Sequence, residues 1–170
     1  MTETEPVPGR KLTHYPLSGG ILAMKHRYSR TETNVRRFEL WNACKPIFWV
    51  KVGVSDGGVM RGLASEVVEA TVRDRLRAAG LHGGDAWPLW PSLYVGISAL
   101  GRGRAFYVRL EFWKRVFDPI SGEDGTATTW ERGMVGQGDA ALILSLVSKL
   151  TDEFIDAYLR VNASACPRPG

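Results

Sequence analysis

The feature that most constrains this chain is a pair of alternating runs between Pro91 and Phe117, broken by Gly101-Arg102-Gly103-Arg104. Successive side chains of a strand point to opposite faces, so Leu93, Val95, Ile97 and Ala99 share one face while Tyr94, Gly96 and Ser98 share the other. In the returning run Phe106, Val108, Leu110 and Phe112 are apolar, and Tyr107, Arg109, Glu111, Trp113 and Arg115 mix rings with charges. Such a hairpin needs a core on one side and tolerates water on the other. The two glycines of the connection supply the positive φ angles that a tight reversal uses.

The flanking sequence supplies that core. Phe48, Val50, Val52 and Val54 alternate within Pro46 to Val54, a first strand, and Ser55-Asp56-Gly57-Gly58 is a turn. A helix follows from a cap at Ser65 or its neighbour to about Ala79, with Val68, Val72, Leu76 and Ala79 as its stripe and Gly80 to end it. After the hairpin, Asp118 to Gly125 has the composition of a long turn, and Thr126 to Arg132 is β-prone enough for a fourth strand. Gly133 to Gly138 then leads to a helix capped by Asp139 and running to Asn162, with Ile143, Val147, Leu150, Phe154, Ala157 and Val161 as its seam. The order is β-α-β-β-β-α. Because a helix long enough for a crossover joins the first two strands, they pair parallel. The expected class is α/β (α+β), a two-layer sandwich in which two helices cover one face of a mixed four-stranded sheet.

A chain of 170 residues suits one domain, here 38–166, with an arm over 1–37 and a tail over 167–170. No apolar run approaches the ~18 residues of a membrane helix. The arm's apolar cluster, Ile21 to Met24, is too short for the core of a secretory signal. The arm also carries the whole net charge of +4, with seven Lys/Arg against three Glu, so the folded part is neutral. That composition fits a flexible tail, or alternatively an arm for nucleic acid or an anionic membrane.

Reaction chemistry finds little support in these residues. The histidines are His14, His26 and His82, and no HExxH, CxxC or GxSxG pattern occurs, so no catalytic residue, metal ligand or cofactor is assigned. Gly133 to Asp139 has the outline of a phosphate cradle but lacks the Lys and Ser/Thr of a P-loop, and Asp139 is a better helix cap than an anion site. His82 with Asp85 has no nucleophile beside it and reads as a solvated loop histidine.

Interaction surfaces are better represented. The uncovered sheet face is expected to carry Trp49, Tyr94, Tyr107, Trp113 and Trp130 among Lys51, Arg109, Arg115, Arg132, Glu111 and Glu131. Rings interleaved with arginines stack bases in some RNA-binding domains, but the acidic residues and the neutral domain charge weigh against nucleic acid here. Trp87 and Trp90, each before a proline, either grip a sugar or protein partner or plug one end of the core. Cys44 and Cys166 bracket the domain; were they adjacent, a disulfide would close a loop of about 120 residues and stabilise by roughly 4–5 kcal/mol. Two unrelated thiols fit the spacing equally well.

Leu40-Trp41-Asn42-Ala43-Cys44, Leu76 to Leu81, Leu93-Tyr94-Val95, Ala127 to Trp130, and Phe154 to Asn162 followed by Cys166 together resemble a family of small bacterial proteins of unassigned activity. The resemblance spans about 38–166. Members usually carry an export signal ahead of the LWNxC element, which implies a periplasmic or cell-envelope setting and, with it, a Cys44–Cys166 bridge. Residues 1–37 stand in the signal's place without resembling one, which points to a mis-assigned start or an altered N-terminus. The expected function is a non-enzymatic binding or scaffolding domain of the bacterial envelope. Its partner would be a protein or glycan engaged through the sheet face and the Trp87/Trp90 loop, and a homo-oligomer is compatible. A cytoplasmic nucleic-acid-associated protein using the basic arm is the alternative, and a small enzyme the third.

Overall fold

A computed structural model describes residues 35, 37–59, 62–83, 91–99 and 105–166. The 1–34 part of the expected arm, the Trp87/Trp90 loop with Asp85, the Gly101–Arg104 tip and the tail from 167 lie outside the described residues. In chain order the elements are β1 (Trp49–Val54), a single-turn α1 (Asp56–Val59), α2 (Ser65–Ala78), β2 (Ser92–Ala99), β3 (Ala105–Asp118), β4 (Glu123–Gln137) and α3 (Ala140–Asn162). The four strands lie in sequence order, β1 parallel to β2 and the rest antiparallel. This is the mixed sheet and two-layer architecture that the alternation requires.

The core lies between the sheet and the two long helices. Leu93, Val95, Ile97, Phe106, Val108, Leu110 and Phe112 meet Val68, Val72 and Leu76 of α2 and Ile143, Val147, Leu150 and Phe154 of α3. Each such side chain, fully buried, contributes roughly 1.5–3 kcal/mol. Arg75 of α2 and Asp152 of α3 form an ion pair (2.5 Å) on the solvent side of the helix pair. Asp139 caps α3 by accepting the Leu142 N–H at 3.0 Å, as its sequence position suggests. At α2 the cap is Ala64, which offers no side-chain acceptor.

Four expectations are corrected. The first strand starts at Trp49 and not Pro46, because Ile47 makes only an isolated parallel bridge to His82. Far more is strand in β4 than Thr126 to Arg132. It begins at Glu123 because the reversal is tight, spanning Pro119 to Gly122, and Arg115 holds Asp124 across the ladder at 2.9 Å. It ends at Gln137, so the glycine-rich stretch is ladder and not loop. Gly133 lies under the Tyr107 ring, where a Cβ would sit 2.6 Å from ring carbons, so here glycine provides space for a neighbour and not a turn. Finally, the last turns of α3 bury Tyr158 and Asn162 ahead of Ala157, because polar partners for both wait on the neighbouring segment.

Candidate interaction face and the disulfide clamp

Register fixes what the second sheet face presents. Three rows cross the strands: Trp49, Ser92, Trp113 and Thr128; then Lys51, Tyr94, Glu111 and Glu131; then Gly53, Gly96, Arg109 and Gly133. Among the described residues no helix packs against this face. Its rings lie low, since Tyr94 leans across Gly53, where a Cβ would stand 3.3 Å from the phenol carbon Cζ. The Arg109 guanidinium sits 5.6 Å from the Tyr94 ring, Tyr94 is 6.1 Å from Trp113, and the Lys51 amine is 5.9 Å from the Trp49 ring.

One carboxylate is embedded in this platform. Glu111, only 5% exposed, accepts the Trp113 indole N–H at 2.7 Å and pairs with Arg109 Nε at 3.1 Å, with Thr128 Oγ1 at 3.4 Å. Its charge is therefore spent on holding Trp113 and Arg109 in place, as a buried carboxylate requires. Beyond it, the Tyr107 hydroxyl donates to Glu131 at 3.4 Å. Burial, reinforced by the Glu131 charge, pushes the Tyr107 pKa up, so this phenol is a neutral donor at physiological pH.

Trp49, Tyr94, Tyr107, Arg109 and Trp113 thus share the face expected of them, each half-buried, with Tyr94 in contact with both Arg109 and Trp113. Trp130 does not. A bulge shifts the β3–β4 register between Phe112 and Trp113, so Phe112 pairs with Trp130 and Trp113 with Thr128, leaving Thr129 as the extra residue. Trp130 consequently points at the helices, 6% exposed, with its ring 5.3 Å from Phe154. Trp87 and Trp90 lie outside the described residues.

The cysteines are joined. Cys44 and Cys166 form a disulfide with Cα atoms 5.0 Å apart, across a sequence separation of 122. Around it, side chains from α3, β3 and β4 bind several backbone groups between Phe38 and Lys45. Asn162 Oδ1 accepts from Asn42 N (2.9 Å) and Cys44 N (3.2 Å), and its Nδ2 donates to Leu40 O (3.0 Å). The Tyr158 hydroxyl donates to Lys45 O at 2.7 Å, and Thr129 Oγ1 to Glu39 O at 2.7 Å. Lys114, 8% exposed, donates to Phe38 O and to Trp41 O, capping the short helical stretch over 37–40, and its burial lowers its pKa. Ala43 and Cys44 both adopt positive φ, 50° and 54°, a conformation that L-residues avoid unless the surroundings hold them in it.

No protein-family profile and no curated protein matches the chain. Among solved structures, a PelC dodecamer from Paraburkholderia phytofirmans is similar at 16% identity over 64% of this chain and 86% of that one, with a TM-score of 0.38. A minor lipoprotein from Acinetobacter baumannii is similar at 11% identity over 74% of this chain and 98% of that one, with a TM-score of 0.30. At these values neither likeness bears on what the chain does.

The Cys44–Cys166 bridge is the one the family resemblance implies, whereas the hydrogen bonds that surround it had no counterpart in the sequence reading. Asn162, Thr129 and Lys114 act on backbone 73 to 122 residues away. The one local signal was Asn162 falling four residues after Tyr158 on an otherwise apolar helix face. Among the described residues no group of three His, Cys, Asp or Glu is placed to hold a metal, and no helix is long and apolar enough to cross a membrane.

Proposed function

We propose that the chain is an exported, disulfide-stapled, non-enzymatic binding module of the bacterial cell envelope that engages a protein or glycan partner through the uncovered face of its sheet. The observation that carries the export reading is the Cys44–Cys166 pair, since such bonds persist in oxidising compartments and are rare in the cytosol. Five of the residues that carry the family resemblance at the two ends of the domain, Asn42, Cys44, Tyr158, Asn162 and Cys166, belong to the clamp and maintain the fold. That leaves the platform of Trp49, Tyr94, Tyr107, Arg109 and Trp113 to meet a partner, with its buried Glu111 organising the rings in advance of contact.

Two measurements test this. Alkylation of protein taken from its native cells and denatured without reductant is expected to find no free thiol; two free thiols would overturn the export reading. A photo-crosslinker at Tyr94 is expected to form adducts in the envelope fraction that are lost in Arg109→Ala and Trp113→Ala. A crosslinker at Lys149, on the exposed side of α3, serves as control, and the same adducts from both positions would remove the sheet face from consideration.

A further inference from the structure

The β3–β4 hairpin runs past the end of the sheet. Pairing with β2 stops at Trp113, so Lys114–Asp118 and Glu123–Ala127 pair only with each other, as a two-stranded arm. Asp118 stiffens its tip: Oδ1 accepts Ile120 N at 2.9 Å and Oδ2 accepts Ser121 Oγ at 2.9 Å. The result is an isoleucine held 96% exposed, with Phe117 beside it at 63%. A solvated turn gains nothing from these residues, whereas a rigid apolar tip is how an anchor is built.

At the base of the arm lies a cleft of about 700 Å³, lined in part by Phe38, Trp41, Lys45, Lys114, Phe117 and Pro119. Phe38 is 63% exposed there. Tip and cleft are complementary in charge as well as in polarity. On the arm Arg115 is occupied by Asp124, while in the cleft Lys114 is occupied by backbone carbonyls. This leaves Glu123 on the tip and Lys45 in the cleft, neither with an ion-pair partner among the described residues. The arm is one wall of its own cleft, so its tip cannot turn back into it. The acidic tip, with Asp118, Glu123 and Asp124 against Arg115, also disfavours an anionic lipid surface.

We propose that the occupant of the cleft is the arm tip of a second copy of this chain. Because donor tip and receiving cleft lie side by side on one patch, a two-fold axis places each tip in the other copy's cleft and closes a dimer. Ile120 enters against Phe38 and Trp41, and Glu123 faces the second copy's Lys45. Of the rows given for the sheet face this surface includes Thr128 alone and none of Trp49, Tyr94, Tyr107, Arg109 and Trp113, so either reading can fail without the other.

Sedimentation equilibrium of the full chain, from micromolar to millimolar concentration, tests it. The wild-type chain is expected to dimerise, Ile120→Asp to weaken the dimer at least about tenfold, and Lys45→Glu or Glu123→Lys to weaken it several-fold. Combining Lys45→Glu with Glu123→Lys is expected to restore most of the loss. All three side chains are exposed, so the circular dichroism and urea midpoint of each variant should match wild type; Glu123→Lys keeps the test open should Ile120→Asp disturb the turn. A chain that stays monomeric throughout overturns the proposal. So does a dimer untouched by Ile120→Asp, formed through the free β4 edge or the sheet face, and so does a double variant no better than its parents.

Discussion

Asn162 addresses both halves of the disulfide: its side-chain Oδ1 accepts the N–H of Cys44 at 3.2 Å, and its main-chain carbonyl accepts the N–H of Cys166 at 3.0 Å. One fully buried residue therefore aligns two thiols that are 122 positions apart in the chain. Asn162→Ala is expected to lower stability by about 3 kcal/mol, because it strands the Asn42 and Cys44 donors and the Leu40 acceptor. It should also slow disulfide formation when the reduced chain is refolded. Urea unfolding of the oxidised protein and alkylation-quenched reoxidation measure the two effects, and wild-type behaviour in both would show the contacts to be incidental.

Ala43 supports a prediction of opposite sign. Its φ of 50° costs roughly 1–2 kcal/mol for an L-residue. Glycine removes that cost but gives the unfolded chain freedom worth about 0.4–1 kcal/mol. Ala43→Gly should therefore stabilise, by about 0.5–1 kcal/mol, seen as a raised urea midpoint. A lowered midpoint would mean that the Ala43 methyl is contributing packing of its own.

Trp130 and Trp113 separate the two sheet faces by energy. Trp130→Ala opens a cavity beside Phe154 and should cost about 3–5 kcal/mol. Trp113→Ala removes a half-buried ring and its hydrogen bond to Glu111, and should cost about 1–2 kcal/mol. Denaturant titration of both variants decides the order; equal costs would contradict the bulge-shifted register.

Tyr158 gives a pH dependence. Burial raises its pKa, the Asn42 hydrogen bond opposing, and its proton is donated to Lys45 O. Above pH ~10 the unfolded chain loses this proton while the folded chain keeps it, so the unfolded state binds fewer protons and stability falls as pH rises. Tyr158→Phe should be less stable near neutrality by about 1 kcal/mol, from the lost hydrogen bond. The gap to wild type should then narrow as pH rises past ~10. A gap of constant size in urea titrations from pH 8 to 11 would show that Tyr158 ionises alike in both states.

How much of this was legible depends on the range of the interactions. The alternation of Leu93, Val95 and Ile97 against Phe106, Val108 and Leu110 reports burial directly, so the core face of the hairpin followed from it, while the pairing register came from the structure. The stripe of Val68, Val72 and Leu76 located α2 for the same reason. β4 was harder, since Gly125, Gly133 and Gly136 imitate loop, and the extra residue at Thr129 reverses which side chains face the core. No pattern within ten residues of Trp130 announces that reversal; only the partner strand imposes it. The five residues that do share the outer face lie on β1, β2 and β3, whose pairing with one another carries no bulge. The polar contacts of Lys114, Thr129 and Asn162 belong to a still longer range, where residue type says only that a buried donor must find something.

The bridge between Cys44 and Cys166 also decides how the domain bears mechanical load. A pull transmitted through chain on either side of these two residues crosses the sulfur–sulfur bond and bypasses the sheet and both long helices. The 122-residue interval would contribute no extension in a single-molecule stretching trace until a reductant is added. Only the short stretch from 37 to 43, held by Lys114, Thr129 and Asn162, would peel away first. A domain built in this way can be tethered at both ends and strained without its sheet being deformed.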